Sequence, residues 1–549
     1  MKLAMNHNQW KVTLAAVAAL GLSGGSPAQG WAKDKEDKKI GYVVLAEQGH
    51  ALQGTIVPIV RLILEHKEGF SDQSCDSLRM SNGQDPDIKK NDFIPRPRSA
   101  TNEMPITVCE AKFPVSKQHQ VAGTTWTVTD TSTSKQFTVQ LPTVSLSPTM
   151  ALVLGDSGCR DNDDQKCSDK EWPLPDPLAE QMADQLTTQN QPAVIIHVGD
   201  YKYRGKDTDL KKPHEQWENW KDDFFGPMSA TKKGHNLFAM APWVVTRGNH
   251  ELCFAMGKNG TGWFYMLDPT SKLLAKDSDQ VVKENSCHYL NVDIMTRPYR
   301  LDFDNNLTLV VTDTADLYTD TQSDDASVQK LVGWYQEMIA NFKDSTRNAW
   351  MVTHVPVWAV MGDCCKTSFN DPTSQIALWN LPQKTLPKPF KLVLSGHRHL
   401  YTSLDVNPND AQTRMLQMVV GNGGVELNNK DFMGCVEYDK YKQGNDSNNF
   451  TATVHGMSRF GFLVAKMQLD QNKAVTGWNL NTMALENTKG SDWGQFDTAE
   501  VCTYPVDLGK PACQVKNPKW FPKQCSACLK VAGPDLTDKC KDKDDDKKE

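Results

Sequence analysis

Short apolar, largely β-branched runs recur along the chain: Ala151-Leu-Val-Leu154, Ala193-Val-Ile-Ile196, Trp243-Val-Val-Thr246, Leu307-Thr-Leu-Val-Val311, Trp350-Met-Val-Thr353, Lys391-Leu-Val-Leu394 and Leu416-Gln-Met-Val-Val420. Periodicity alone does not separate a buried strand from a fragment of buried helix, but the short length and the glycine that follows favour strands. Two stretches, 176–188 and 327–343, instead carry helical spacing, with Leu331, Trp334, Tyr335 and Ile339 forming one buried stripe. Strands with intervening helices predict an α/β (α+β) fold. In such sheets, ligands collect outside the carboxyl ends of strands.

Polar side chains able to bind metal stand at those ends. Asp156 follows the first run, Asp200 and Tyr203 the second, Asn249, His250 and Glu251 the third; His354, His397 and His399 follow later ones. Scattered along the sequence they would make a poor local site, but a sheet brings its strand ends together. A carboxylate such as Asp200 can bridge two cations, an amide such as Asn249 offers a neutral oxygen, and imidazoles suit zinc, manganese and iron. Two cations ~3.5–4 Å apart clamp a phosphate ester and activate water, so phosphoryl transfer is the natural reaction class. Glycines 155, 158, 199, 248 and 396 fit tight strand-to-loop turns, where positive φ or close backbone approach is needed.

As an ordered set, Asp156-Ser-Gly158, Gly199-Asp200-Tyr-Lys-Tyr203, Gly248-Asn249-His250-Glu251, His354 and Gly396-His397-Arg-His399 resemble the five motifs of the calcineurin-like metallophosphoesterases, over roughly residues 148–480. The resemblance implies a two-sheet β-sandwich flanked by helices. Gly158, where the serine/threonine protein phosphatases carry His, and Tyr203 make the chain most similar to purple (tartrate-resistant) acid phosphatases, in which the phenolate binds a ferric ion. One metal is then implied at Asp156, Asp200, Tyr203 and His399, and a second at Asp200, Asn249, His354 and His397. The cofactors implied are Fe(3+) and a divalent iron, zinc or manganese. His250 is implied beside the leaving-group oxygen, as proton donor or phosphate contact, and Glu251 either orients His250 or caps the following segment.

Other polar residues on the same rim read differently. His197, inside an apolar run, reads as a satisfied core residue, and His214, His235, His288 and His455 are unassigned. Asp313 and Asp316 follow another strand and suit turn or supporting duty better than ligation. The Gly421-Asn-Gly-Gly424 loop is equally a tight turn or a backbone cradle for phosphate.

The chain has 549 residues, 39% apolar, with a net charge of −7, which gives no global attraction to nucleic acid or anionic lipid. The expected partner is a small phosphate ester. Residues 1–32 read as a signal peptide: Lys2 and Lys11 precede the apolar run Val12–Leu22, which is too short to span a bilayer, and small residues follow. Fourteen cysteines agree with an oxidising compartment, periplasmic or extracellular. Their pairing is not deducible from sequence, and the lone C-x-x-C at Cys525 and Cys528 suits disulfides better than a zinc knuckle. The expected organisation is a signal peptide (1–32), an N-terminal accessory region, part β (33–146), the metallophosphoesterase domain (147–484), and a Cys-rich extension (485–549) ending in a solvated charged tail. The reading is an exported binuclear phosphoesterase, an acid phosphatase hydrolysing phosphomonoesters by attack of a metal-bound hydroxide. Alternatives are a phosphodiesterase or nucleotidase of the same superfamily, and a non-catalytic phosphate- or metal-binding protein.

Overall fold

The apolar runs form strands, and these divide between two sheets. In the first, Met150–Leu154, Ala193–His197 and Trp243–Val245 lie parallel, with Leu154 opposite His197 and His197 opposite Val245. This register levels the three carboxyl ends, so segments 155–158, 198–203 and 246–251 all leave the sheet at one edge. In the second sheet, Leu307–Val311, Asn348–Val352, Phe390–Ser395 and Met415–Val420 are likewise parallel neighbours. The structure, a computed structural model, describes residues 39–521 with interruptions, the longest at 67–74, 97–103, 205–215, 253–261, 275–294, 316–324, 359–380, 428–435 and 442–449. The expectations for the leader, His214, His288, Asp316, Cys525, Cys528 and the charged tail lie outside the described residues.

Both faces of these strands are buried, which is why the runs are apolar throughout rather than alternating. Ala151 and Val153 share a core with Val352 and Leu394 of the second sheet, while Leu152 and Leu154 pack with Met182 and Leu186 of the helix Ala179–Gln189. On the far side, the helix Asp325–Phe342 covers Val310, Met351 and Val393 with Leu331, Tyr335, Met338 and Phe342. Trp334 and Ile339, expected in that stripe, are only partly buried at its margin, because the helix turns the 331, 335, 338, 342 row inward. Each buried side chain of this kind contributes roughly 1.5–3 kcal/mol. The result is the expected mixed α/β sandwich with helices on its outer faces.

The first sheet continues on both sides. Lys39–Glu47 runs parallel to Trp243–Val245 with Val44 opposite Trp243, and antiparallel to Ile56–Glu65, which pairs with Ile106–Lys112. Two buried arginines, Arg61 and Arg96, lie 3.3 Å from Glu110, and Arg61 donates to the Met266 carbonyl at 2.6 Å. Thus residues 39–112 supply strands to the sheet that presents three of the five motifs. On the other side, Gly461–Leu469 lies antiparallel to Met150–Leu154, followed by Val475–Leu485, Phe496–Tyr504 and Cys513–Val515. Disulfides join Cys75 to Cys109, Cys159 to Cys167 and Cys502 to Cys513. Among the described residues, no helix is long and apolar enough to cross a membrane.

Candidate metal centre

Three residues of the motifs leave their strands in a backbone conformation that side chains resist: Asp156 at φ 54°, Asp200 at φ 58° and His397 at φ 70°. Each costs on the order of 1–2 kcal/mol. Hydrogen bonds between motifs hold them there: the Asp156 N–H donates to the Gly199 carbonyl at 2.9 Å, and the His397 N–H to Asp156 Oδ2 at 2.9 Å. Such strain persists where the surroundings over-determine it, and it concentrates at functional sites. Gly199 meets a stricter demand, with φ at 99°, and a Cβ there would overlap His354 Nδ1. Gly248 is needed for space rather than for φ, since a Cβ would overlap the Asp200 backbone and carboxylate.

The seven side chains expected as ligands converge in two groups that share Asp200. In one, the Tyr203 hydroxyl is 2.7 Å from Asp200 Oδ2, 3.1 Å from Asp156 Oδ1 and 3.2 Å from His399 Nε2. Ligand atoms of Asp156, Asp200 and His399 all lie within 4.8 Å of one another. In the other, Asn249 Oδ1 lies 2.9 Å from His354 Nε2 and 3.0 Å from His397 Nδ1, with His354 Nε2 3.4 Å from Asp200 Oδ1. His250 donates its backbone N–H to Asp200 Oδ1 at 2.9 Å and sets its half-buried ring 4.1 Å from the Tyr203 ring.

The donor set fits cations. His354 Nδ1 faces the Val198 carbonyl at 2.8 Å and donates to it, so that in the neutral, metal-binding form of the ring the Nε2 lone pair is directed toward the oxygens of Asn249 and Asp200. Acceptors facing acceptors in a dry site call for positive charge between them. Without metal the cluster must take up protons instead: burial, with the Asp200 charge, raises Asp156 to about 8. Burial lowers His354, but the Asp200 carboxylate outweighs it and raises the imidazole to about 9. Burial, then the charge of Arg160, lowers His399 to about 3, keeping that ring neutral as a ligand must be. A second group, Glu500 with Cys502 and Cys513, has its sulfurs already joined in a disulfide.

Residues behind the cluster fix its loops. Glu251, fully buried, accepts backbone N–H bonds from Asp200 (3.1 Å), Tyr201 (3.0 Å), Lys202 (3.3 Å) and Gly248 (3.1 Å), tying the second motif to the third. It thus ties the ligand loops together and caps the short turn Asn249–Glu251 through the Gly248 N–H. His197 is satisfied in the core as expected: Nδ1 accepts from the Gly199 N–H at 3.2 Å, and Nε2 lies 2.8 Å from Ser157 Oγ. Asp223 accepts from the backbone of Tyr203 (2.8 Å) and Arg204 (3.0 Å), a role no local pattern announces. Asp313 supports rather than ligates: it accepts from the Thr296 N–H at 2.7 Å and lies 2.9 Å from the buried Arg247 Nε. The glycine loop packs beneath the first motif, its Gly423 and Val425 N–H groups spent on the carbonyls of Gly155 (3.0 Å) and Asp156 (2.9 Å). It is a close-approach turn, and those two donors do not cradle phosphate.

No curated protein matches this chain. The clustered carboxylates, amide and imidazoles at the ends of parallel strands fall within residues 152–401, which match the family described as Calcineurin-like phosphoesterase, so that this span carries a metallophosphoesterase domain.

Proposed function

We propose that this chain is an exported acid phosphatase: a binuclear, iron-containing enzyme that hydrolyses phosphomonoesters. The observation that carries the reading is the Tyr203 hydroxyl, 2.7 Å from the shared Asp200 and 3.1 Å from Asp156, inside the ligand cluster instead of in apolar packing. When bound, the two metals supply Lewis-acid polarisation of the phosphoryl group and lower the pKa of the attacking water. Asp156, Asp200, Tyr203 and His399 would hold the ferric ion, and Asp200, Asn249, His354 and His397 the divalent one.

The protein's own groups do the rest. His354 is locked by its bond to Val198, so its Nε2 needs no reorganisation. His250, seated on the Tyr203 ring and fixed by its backbone to Asp200, donates a proton to the leaving-group oxygen. Glu251 keeps the two loops in register with one carboxylate.

Metal-loaded protein is expected to contain iron and to show a visible tyrosinate-to-iron absorption band that vanishes in Tyr203→Phe. Elemental analysis and spectra of both proteins check this. Two bound metals with no such band would remove the ferric assignment and leave Tyr203 a packing residue.

A further inference from the structure

A cation outside the five motifs is built over the candidate metal centre. Arg160 directly follows Cys159, whose disulfide to Cys167 closes a short loop beside the first motif. Buried Gln165 pins that loop: its Oε1 accepts the backbone N–H groups of Arg160 and Glu426, both at 3.0 Å, and its Nε2 donates to the Gly424 carbonyl at 2.8 Å. The Arg160 side chain, 34% exposed, reaches over Tyr203 with its guanidinium carbon 5.3 Å from the ring centroid. Its Nη1 donates to Glu426 Oε1 at 2.9 Å. A guanidinium has five N–H donors, and among the described residues Glu426 takes the only one in use. A half-exposed pair of this kind is worth at most about 1 kcal/mol, so Glu426 aims the group without saturating it.

We propose that Arg160 binds a non-bridging oxygen of the substrate's phosphoryl group, making it a substrate-binding residue supplied by the disulfide-closed loop. The inference rests on the phosphoesterase reading above. A planar, permanently charged fork matches phosphoryl oxygens, and the guanidinium lies over the ring of Tyr203, a member of the ligand cluster. The side chain is anchored at its backbone, aimed by a carboxylate and one-third exposed beside the candidate ligand Tyr203.

The test uses metal-loaded full chain with inorganic phosphate as probe, measured by calorimetry and as competitive inhibition of 4-nitrophenyl phosphate hydrolysis. Arg160→Gln is expected to weaken phosphate binding by roughly 10–100-fold, the worth of a hydrogen bond to a charged group, and to raise KM more than it lowers kcat. Arg160→Lys, keeping the charge without the fork, is expected to recover part of the loss. Phosphate affinity within about twofold of wild type in Arg160→Gln, against a general scatter of that size, overturns the proposal. Should Arg160→Gln lose its metals, Arg160→Lys decides: unchanged affinity overturns the proposal and weakened affinity supports it. A wild-type protein that neither hydrolyses esters nor binds phosphate would instead bring down the phosphoesterase reading itself.

Discussion

Asp200→Asn is expected to strip both metals while the protein stays folded. The asparagine carbonyl can still accept the His250 N–H, now 2.9 Å from Oδ1, and the amide can donate to the Tyr203 hydroxyl, now 2.7 Å from Oδ2, so the local frame survives. What disappears is the charge common to both ligand groups. Loss of a mere outer partner already costs about 10–100-fold in metal affinity, so loss of the shared ligand must cost more. Turnover should fall by at least ~10³-fold, as several kcal/mol of Lewis-acid stabilisation are lost. Elemental analysis, thermal melting and steady-state kinetics read the three effects separately. Two metals and normal turnover in the variant would sink the binuclear assignment.

His250→Ala is expected to behave in the opposite way, keeping the metals and losing chemistry. The contact from residue 250 to Asp200 is a backbone N–H, which alanine retains. Only the ring beside Tyr203 is removed. General acid catalysis contributes on the order of 10²–10⁴-fold, so kcat should drop within that range for an alkyl phosphate. The drop should be smaller for 4-nitrophenyl phosphate, whose leaving group needs less protonation. Equal losses on both substrates would argue that His250 contacts phosphate rather than donating a proton.

The strands and the candidate ligands were legible in the sequence for one physical reason. Ala151–Leu154 and its counterparts are buried on both faces, so they are apolar without interruption, and an Asp, Asn or His at the end of such a run stands out. Sheet geometry then does the gathering, because parallel strands in level register deliver their ends to one place. What holds that place together is far less legible. Glu251 collects four N–H groups from loops some fifty residues apart, and a backbone donor leaves no trace in residue type. Asp223 reaches Tyr203 across 20 positions of sequence with no pattern between them. The helix stripe was misjudged at Trp334 and Ile339 because helical spacing fixes a face only to within one residue, and Met338 and Phe342 fit the inner row as well. Arg160 carries no signal at all, since its place depends on a disulfide and on Gln165 reaching Gly424.

The parallel pairing of Lys39–Glu47 with Trp243–Val245, and the antiparallel pairing of Gly461–Leu469 with Met150–Leu154, have a bearing on how the chain reaches its native state. Contacts between residues separated by some 200 and 300 positions are slow to form, because loop closure must be completed before they contribute. The stretch that carries the ligands, 152–401, contains neither flanking strand. Left alone it would expose raw hydrogen-bonding edges on both sides of the three central strands, an invitation to pair with other chains. The candidate centre therefore sits on strands whose edges are covered only by pairing with a strand from near one end of the described chain and a strand from near the other.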